Sequence, residues 1–457
     1  MTTIERAPDG PARRAVVAER AQARALRRAR AVARHAPRWR EPRTVWLGFA
    51  LLQVVTLASF AVPMLTGDAL GDLPLYREWA VDAAEGRGIV GIDAPWVYPL
   101  LAWLPIALAS VASAPAFLTV WLAMLGVLDA LALRAILACG TTRASIAGWA
   151  WLCMLLTLGP VALLRLEGVT APLVVIAVTM LARRPWAAGA LLAVATWMKV
   201  WPVALVGSAL VVLRERGRIL QAGVVVTAGV VAAAVVLGDV GHLASFATMQ
   251  GDRDLQLEAP LATPWVWMAM LHVPGASVSF DMALETREVA GPLDGLAQQA
   301  STPLMLLATI GALVLAQVAV RRGADRHETL LTAGLVVTIA MFACNRVGSP
   351  QYMLWILPVA IVAIATVHAG AQRWWRRMTA VLLATGLVTT IVFPISYLAL
   401  IDLHAWAVVL LTLRNLLLVV VLVAAVRRMI VVAIGRSTLD AVRASRAGGL
   451  PAGAGAA

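Results

Sequence analysis

The run TVWLGFALLQVVTLASFAVPML, residues 44–65, holds no charged residue and is long enough to cross a bilayer as a helix. An arginine block precedes it, and cytoplasmic flanks carry the excess of Lys and Arg, so the run reads as leaving the cytoplasm. Similar runs recur as far as residue 425. Across the chain 61% of residues are hydrophobic and 14% are charged, and the mean hydropathy is +0.83. A soluble domain, with roughly a quarter of its residues charged, is excluded. Inside a bilayer every backbone N–H and C=O needs an internal partner, so spans of this length are helices. The expected fold class is an all-α polytopic membrane protein. The net charge of +13 falls to arginines at cytoplasmic helix ends, which makes the membrane, and not nucleic acid, the expected partner. Cys139, Cys153 and Cys344 lie in or beside apolar runs without metal-ligand spacing, so neither a disulfide nor a zinc site is expected.

Residues 1–43 form a cytoplasmic, Arg-rich segment with no apolar core ahead of the first span, unlike a signal peptide. Its stretch 13–34 is helix-prone, and either rests on anionic lipid or is a tail that fixes topology. A polar loop, 66–97, then lies outside. Further on, 219–238 runs outward from the arginines at 214, 216 and 218, and a long external segment, 239–302, follows. Runs 303–320, 329–343, 351–368, 378–395 and 405–425 alternate between faces, with arginines at 321–322, 373–377 and 427–428 inside. The multi-span domain is thus 44–428, followed by a cytoplasmic, Ala/Gly-rich tail, 429–457, expected to be disordered. Six apolar pieces between 97 and 213 break the charge bias, because six crossings leave Arg183, Arg184 and the 214–218 cluster outside. One piece between 97 and 161 is therefore expected to be a half-helix or re-entrant element lining a buried cavity. The sequence leaves open which one. The count becomes about 12 transmembrane helices with both termini cytoplasmic, and Asp72, Lys199, Arg253 and Arg346 share the external face.

The loop after the first span begins Gly71-Asp72-Leu73-Pro74-Leu75-Tyr76 and carries Asp68, Asp72, Glu78, Asp82, Glu85 and Asp93 against Arg77 and Arg87. Most of the chain is too apolar for chemistry on a sugar or phosphate, whereas an acid-rich loop at the bilayer surface is suited to it. By residue type Asp68, Asp72 and Asp93 serve equally as a base. Asp72 and Tyr76 share a helix face, and Pro74 is tolerated in a first turn. Lys199, the one lysine, sits in ATWMKVWP, residues 195–202. A cation in such surroundings is more often paired or functional than snorkelling, and a compact ammonium suits phosphate. Asn345-Arg346-Val347-Gly348-Ser349-Pro350-Gln351-Tyr352 is a turn-rich polar insert whose exposed N–H groups and arginine favour an anion. In QGDRDLQLE, residues 250–258, Arg253 among acids and amides suits phosphate or sugar hydroxyls, although a solvated loop start explains those residue types better. Arg165-Leu166-Glu167-Gly168 is either an intramembrane ion pair or a substrate contact. His242 reads as structural and Asp402-Leu403-His404 as an external turn.

Taken in order, these stretches resemble glycosyltransferase family 87, multi-span bacterial enzymes of the C-type glycosyltransferase superfamily. That family includes the polyprenyl-phosphate-mannose-dependent α-1,2-mannosyltransferases of phosphatidylinositol mannosides. Asp72 and Tyr76 match its Asp-x-x-x-Tyr, and Tyr98-Pro99 its Tyr-Pro-Pro with Leu100 for the second proline. Glu167-Gly168 stands at its Gly-Gln-like junction without the glutamine, and Lys199 with Pro202 keeps Lys-x-x-Pro. Residues 253–259 are similar to an Arg-Gly-Leu-Gln-Ile-Glu-Ser-like segment with Asp254 in place of glycine. Residues 345–352, with Trp355 and Pro358, are similar to Asn-Lys-x-x-Ser-Pro-Gln-Tyr. The resemblance spans residues 45–425.

It implies a C-type glycosyltransferase fold whose first external loop carries the catalytic acid, in a bacterial plasma membrane with the active site on the external face. The implied activity is inverting transfer of a hexose, mannose being expected, from a polyprenyl-phosphate donor to a lipid-linked or cell-envelope glycan acceptor. Asp72 would be the catalytic base and Lys199, Arg253 and Arg346 would hold the donor phosphate. Tyr76, Gln256, Glu258, Gln351 and Tyr352 would contact substrate. No cofactor is expected, and a divalent metal is compatible but not required if the cations stabilise the leaving phosphate. Two rival classes are a transporter or flippase of lipid-linked sugars and an undecaprenyl-glycan polymerase or ligase. A transporter tends to place ionisable residues at midplane within broken helices and repeats, whereas most acids here lie in loops.

Overall fold

The computed structural model describes residues 37–68, 70–111, 113–141, 143–249, 253–282 and 286–435. Most of the Arg-rich N-terminal segment, the tail from 436 and Gln250-Gly251-Asp252 lie outside the described residues. About 75% is helical. The first helix, α1 (Pro42–Ser59), does not fill the expected span: the chain breaks at Phe60 into a short helix, Ala61–Thr66. Pro63 explains the break, because it offers no N–H to the carbonyl four residues back and its ring crowds that group. The first loop contains α2 (Leu73–Ala84). After it come α3 (Trp103–Ser110), α4 (Phe117–Leu137), α5 (Ala144–Leu158), α6 (Glu167–Met180), α7 (Pro185–Met198), α8 (Val203–Val212) and α9 (Arg216–Leu237). An antiparallel hairpin, β1 (Ser277–Asp281) and β2 (Thr286–Ala290), interrupts the helices. The chain closes with α10 (Asp294–Arg321), α11 (Arg326–Ala343), α12 (Met353–Thr366), α13 (Gln372–Thr390) and α14 (Ala405–Ile434).

Among the described residues, five helical stretches are long and apolar enough to cross a membrane: α4, α9, α10, 369–395 around α13, and α14. The chain is an all-α membrane protein in that sense. Two expected boundaries shift. The external segment 239–302 yields its end to α10, which starts at Asp294, and α14 continues beyond residue 428 to Ile434. Of the pieces between 97 and 161, the shortest is a three-residue turn leading into the eight residues of α3. At 1.5 Å per residue this reaches about 16 Å, against a hydrocarbon core of about 30 Å.

The hub is α12, buried on every side from Met353 to Ala365, beside α11, buried at nearly every position after His327. A helix apolar all round belongs inside, and α5, α6, α8 and α14 pack around this pair. A second core, rich in rings, ties the first loop to α4 and α6 through Leu73, Tyr76, Trp96, Phe117, Trp121 and Val169. The bundle has two chemically distinct ends. Glu167 opens α6 at one, and Arg183 and Arg184 follow its last turn at the other, about 20 Å away.

Candidate active site

Gly71 turns the chain into α2 with φ +64°, and a Cβ there would stand 2.8 Å from Leu164 Cβ. Asp72 follows as the residue capping α2, yet its carboxylate does not bond the helix N–H groups. It turns instead to the junction before α6, where Arg165 Nη1 donates to Asp72 Oδ2 at 2.7 Å. One turn along α2, the Tyr76 hydroxyl donates to the same oxygen at 3.4 Å. Oδ1 has no partner among the described residues. Burial lifts the Asp72 carboxyl above its ordinary range, opposed by the Arg165 charge and reinforced by Glu167.

The other loop acids are occupied locally. Asp82 and Glu85 pair with Arg87, Asp93 accepts from the Ile89 N–H at 2.7 Å, Asp68 accepts from Thr66 at 2.6 Å, and Glu78 is exposed. Residue type alone left three aspartates equal. Geometry singles out Asp72 as the one turned into the cluster.

Glu167, 1% exposed, begins α6 and meets Lys199 Nζ at 3.2 Å. Gly168 is required beside it, because a Cβ would fall 2.2 Å from the Ala162 carbonyl oxygen. Lys199 leaves α7 in extended conformation at the tip of the α7–α8 hairpin, with Nζ 4.2 Å from the centre of the Tyr98 ring. Both charged residues of Arg165-Leu166-Glu167-Gly168 thus stand in ion pairs, Asp72–Arg165 and Glu167–Lys199. Trp201 anchors the hairpin tip by donating to Thr170 Oγ1 at 3.0 Å.

The 253–259 and 345–352 stretches meet from the other side. Gln256 N–H donates to the Arg346 carbonyl at 2.9 Å, and Gln256 Oε1 accepts from the Gly348 N–H at 2.9 Å. Gly348 lies so close that a Cβ would come within 2.3 Å of the Glu258–Ala259 backbone. Arg346 donates to the carbonyls of Gln298 and Arg253, both at 3.1 Å. Its guanidinium therefore ties the Arg253 backbone to the start of α10, and Gln256 joins it in that clamp. Arg253 Nε is buried and has no partner among the described residues, and its charge reaches Tyr352, as does that of Lys199. Tyr352 stacks on Trp355 at 3.7 Å between ring centres. Gln351 Oε1 and Glu258 Oε2 are buried and have no partner among the described residues. Glu258, held above the usual carboxylate range by burial, lies beside Tyr397.

Two participants escape a reading of the sequence. Arg414, 1% exposed in α14, donates to the Glu258 carbonyl at 2.8 Å and points its charge at the Glu258 carboxyl. A single arginine inside an apolar run is the signal that marks it. Tyr397 is the other. The chain has four tyrosines, and Tyr76, Tyr98, Tyr352 and Tyr397 all border this cluster. Among the described residues no three His, Cys, Asp or Glu side chains gather closely enough to hold a metal ion.

The arrangement supplies a carboxylate with one open oxygen, cations from several separate segments, and buried amide and carboxyl groups without partners among the described residues. Such a set suits a polar, phosphate-bearing ligand at the edge of an apolar bundle. No family model matches the chain, and no curated protein matches it.

Proposed function

We propose that the chain is an inverting membrane glycosyltransferase that moves a hexose from a polyprenyl-phosphate donor to a lipid-linked or cell-envelope glycan acceptor on the external face. The supporting observation is that one acid of the first loop, Asp72, is turned into a buried cluster with the only lysine and all four tyrosines. In this reading the acceptor hydroxyl oxygen attacks the anomeric carbon while the bond from that carbon to the phosphate oxygen breaks. Asp72 Oδ1 takes the hydroxyl proton, and the lipid phosphate leaves with the electron pair. A positioned base contributes about 10²–10⁴-fold. Lys199 and Arg253 stabilise the departing phosphate where charge develops near a low-dielectric boundary. Glu167 shares Lys199, so Arg253 has the larger part. Arg346 acts through the loop it clamps.

A lipid tail has a place as well. An apolar groove of 500 Å³, lined by Ile89, Leu100, Trp103, Leu104, Ala107 and Leu237, opens beside α3 and α9. A wall of rings leads from it to the cluster: Trp103 to Trp96 at 5.5 Å, Trp96 to Tyr98 at 5.6 Å, and Tyr98 to Lys199. In the same reading α3 is the re-entrant element. The remaining apolar helices alternate between the two ends of the bundle as twelve crossings, with the arginine-rich end and both termini cytoplasmic.

The purified chain should transfer radiolabel from polyprenyl-phosphate hexose to an extracted glycolipid, and Asp72→Asn should lower turnover by about 10²–10⁴-fold. Unchanged turnover in that variant would falsify the assignment of the base. One feature favours the rival transporter: Asp129 is 3% exposed in the middle of α4. Labelled lipid-linked sugar crossing a vesicle membrane intact, with no label in glycolipid, would support that class instead.

A further inference from the structure

At the end of the bundle opposite Asp72 lies a cavity of about 760 Å³. Arg134 from the last turn of α4, Arg183 and Arg184 from the α6–α7 turn, His327 from α11 and Thr366 from α12 line it, with Cys139 beside them. No Asp or Glu among the described residues lines this cavity, and none pairs with these three arginines. Nearby arginines at the same end are satisfied by the protein: Arg428 pairs with Glu328, and Arg326 donates to the Val212 carbonyl. The cavity therefore gathers guanidiniums that the fold has not neutralised, and their planar donors match phosphate oxygens.

The surroundings indicate what carries the phosphate. Arg134 shares a face of α4 with Leu131 and Val127, three and seven residues earlier. Leu131 is 43% exposed and Val127 60% exposed. An apolar track thus leads from the cavity mouth up the outside of the bundle. A soluble phosphate has no use for that track, whereas an acyl chain does. We propose that this cavity binds the phosphate of an anionic phospholipid, with an acyl chain lying along Leu131 and Val127. Basic pockets between helices on the arginine-rich face recognise such headgroups through the same electrostatics.

The test uses the full chain in detergent with equal parts phosphatidylglycerol and phosphatidylcholine, read by native mass spectrometry. The unmodified chain should retain phosphatidylglycerol, and Arg134→Gln/Arg183→Gln/Arg184→Gln should retain about tenfold less. Arg376→Gln/Arg377→Gln, two exposed arginines of α13, should retain as much as the unmodified chain. A second readout needs no variant: phosphatidylglycerol should slow alkylation of Cys139 relative to Cys153, and phosphatidylcholine should not. Equal lipid retention by both variants, or a Cys139 rate indifferent to phosphatidylglycerol, overturns the proposal. Protection of Cys139 by inorganic phosphate alone assigns a soluble ligand and overturns it too.

Discussion

Both bonds that hold Asp72 fall on one carboxylate oxygen, and this shapes how the group titrates. Burial raises its pKa while Arg165 opposes the rise, so removing the guanidinium lets the pKa climb further. A base works only when deprotonated. If the proposed activity holds, the acid limb of the pH–rate profile of Arg165→Gln should therefore move to higher pH than in the unmodified chain; an unmoved limb places the titrating base elsewhere. Glu167 and Lys199 give a second test at this scale. Lys199→Met leaves a nearly fully buried carboxylate without its cation, which costs about 3 kcal/mol or more when one partner of a buried pair is removed. Lys199→Met/Glu167→Gln should recover most of that loss in thermal unfolding. If the double variant is no more stable than the single one, the pair is not what stabilises this corner. The sequence marks Lys199 by its rarity but not its partner, because a glutamate at a helix start is also an ordinary stabiliser of the helix dipole. Arg346 shows the opposite limit. Its neighbours Gly348 and Ser349 suggest an anion site, but they do not reveal that its guanidinium also donates to the carbonyls of Arg253 and Gln298, remote in sequence.

Helices are where periodicity and length speak most plainly, and here they locate nearly every apolar element to within a few residues. The errors have local causes. Pro63 breaks the first span, and α10 and α14 extend past their apolar stretches because polar residues continue a helix once it is nucleated. The close contact of Gly348 with the 258–259 backbone was not legible, since glycine in Gly-Ser-Pro reads as a turn residue whether or not anything lies against it. The charge bias implies that one element between 97 and 161 should not cross, but it does not say which. If α3 enters and returns, a membrane-impermeant maleimide should label Ser113→Cys and Glu78→Cys from the same side in a chain with its native cysteines replaced. Labelling of the two from opposite sides makes α3 a full crossing and breaks the alternation of every later helix.

At the scale of the molecule, polar chemistry is divided between two ends separated by an apolar hub. Uncompensated arginines gather at one end, and acids, tyrosines and the lysine at the other. Charge bias along the chain foreshadows this division because it acts on whole segments and needs no knowledge of packing. What it cannot convey is which loops touch. That depends on how α11 and α12 set the spacing of the surrounding helices, and so on contacts far apart in sequence. The central claim is that the Asp72 end receives a lipid-linked phosphate. The most direct measurement is a cryo-EM map of the full chain with bound polyprenyl phosphate. The account predicts phosphate density within contact of Lys199 and Arg253, with Asp72 facing it and the tail in the groove beside α3. Phosphate bound at the Arg134, Arg183 and Arg184 end, with the Asp72 cluster empty, would contradict it.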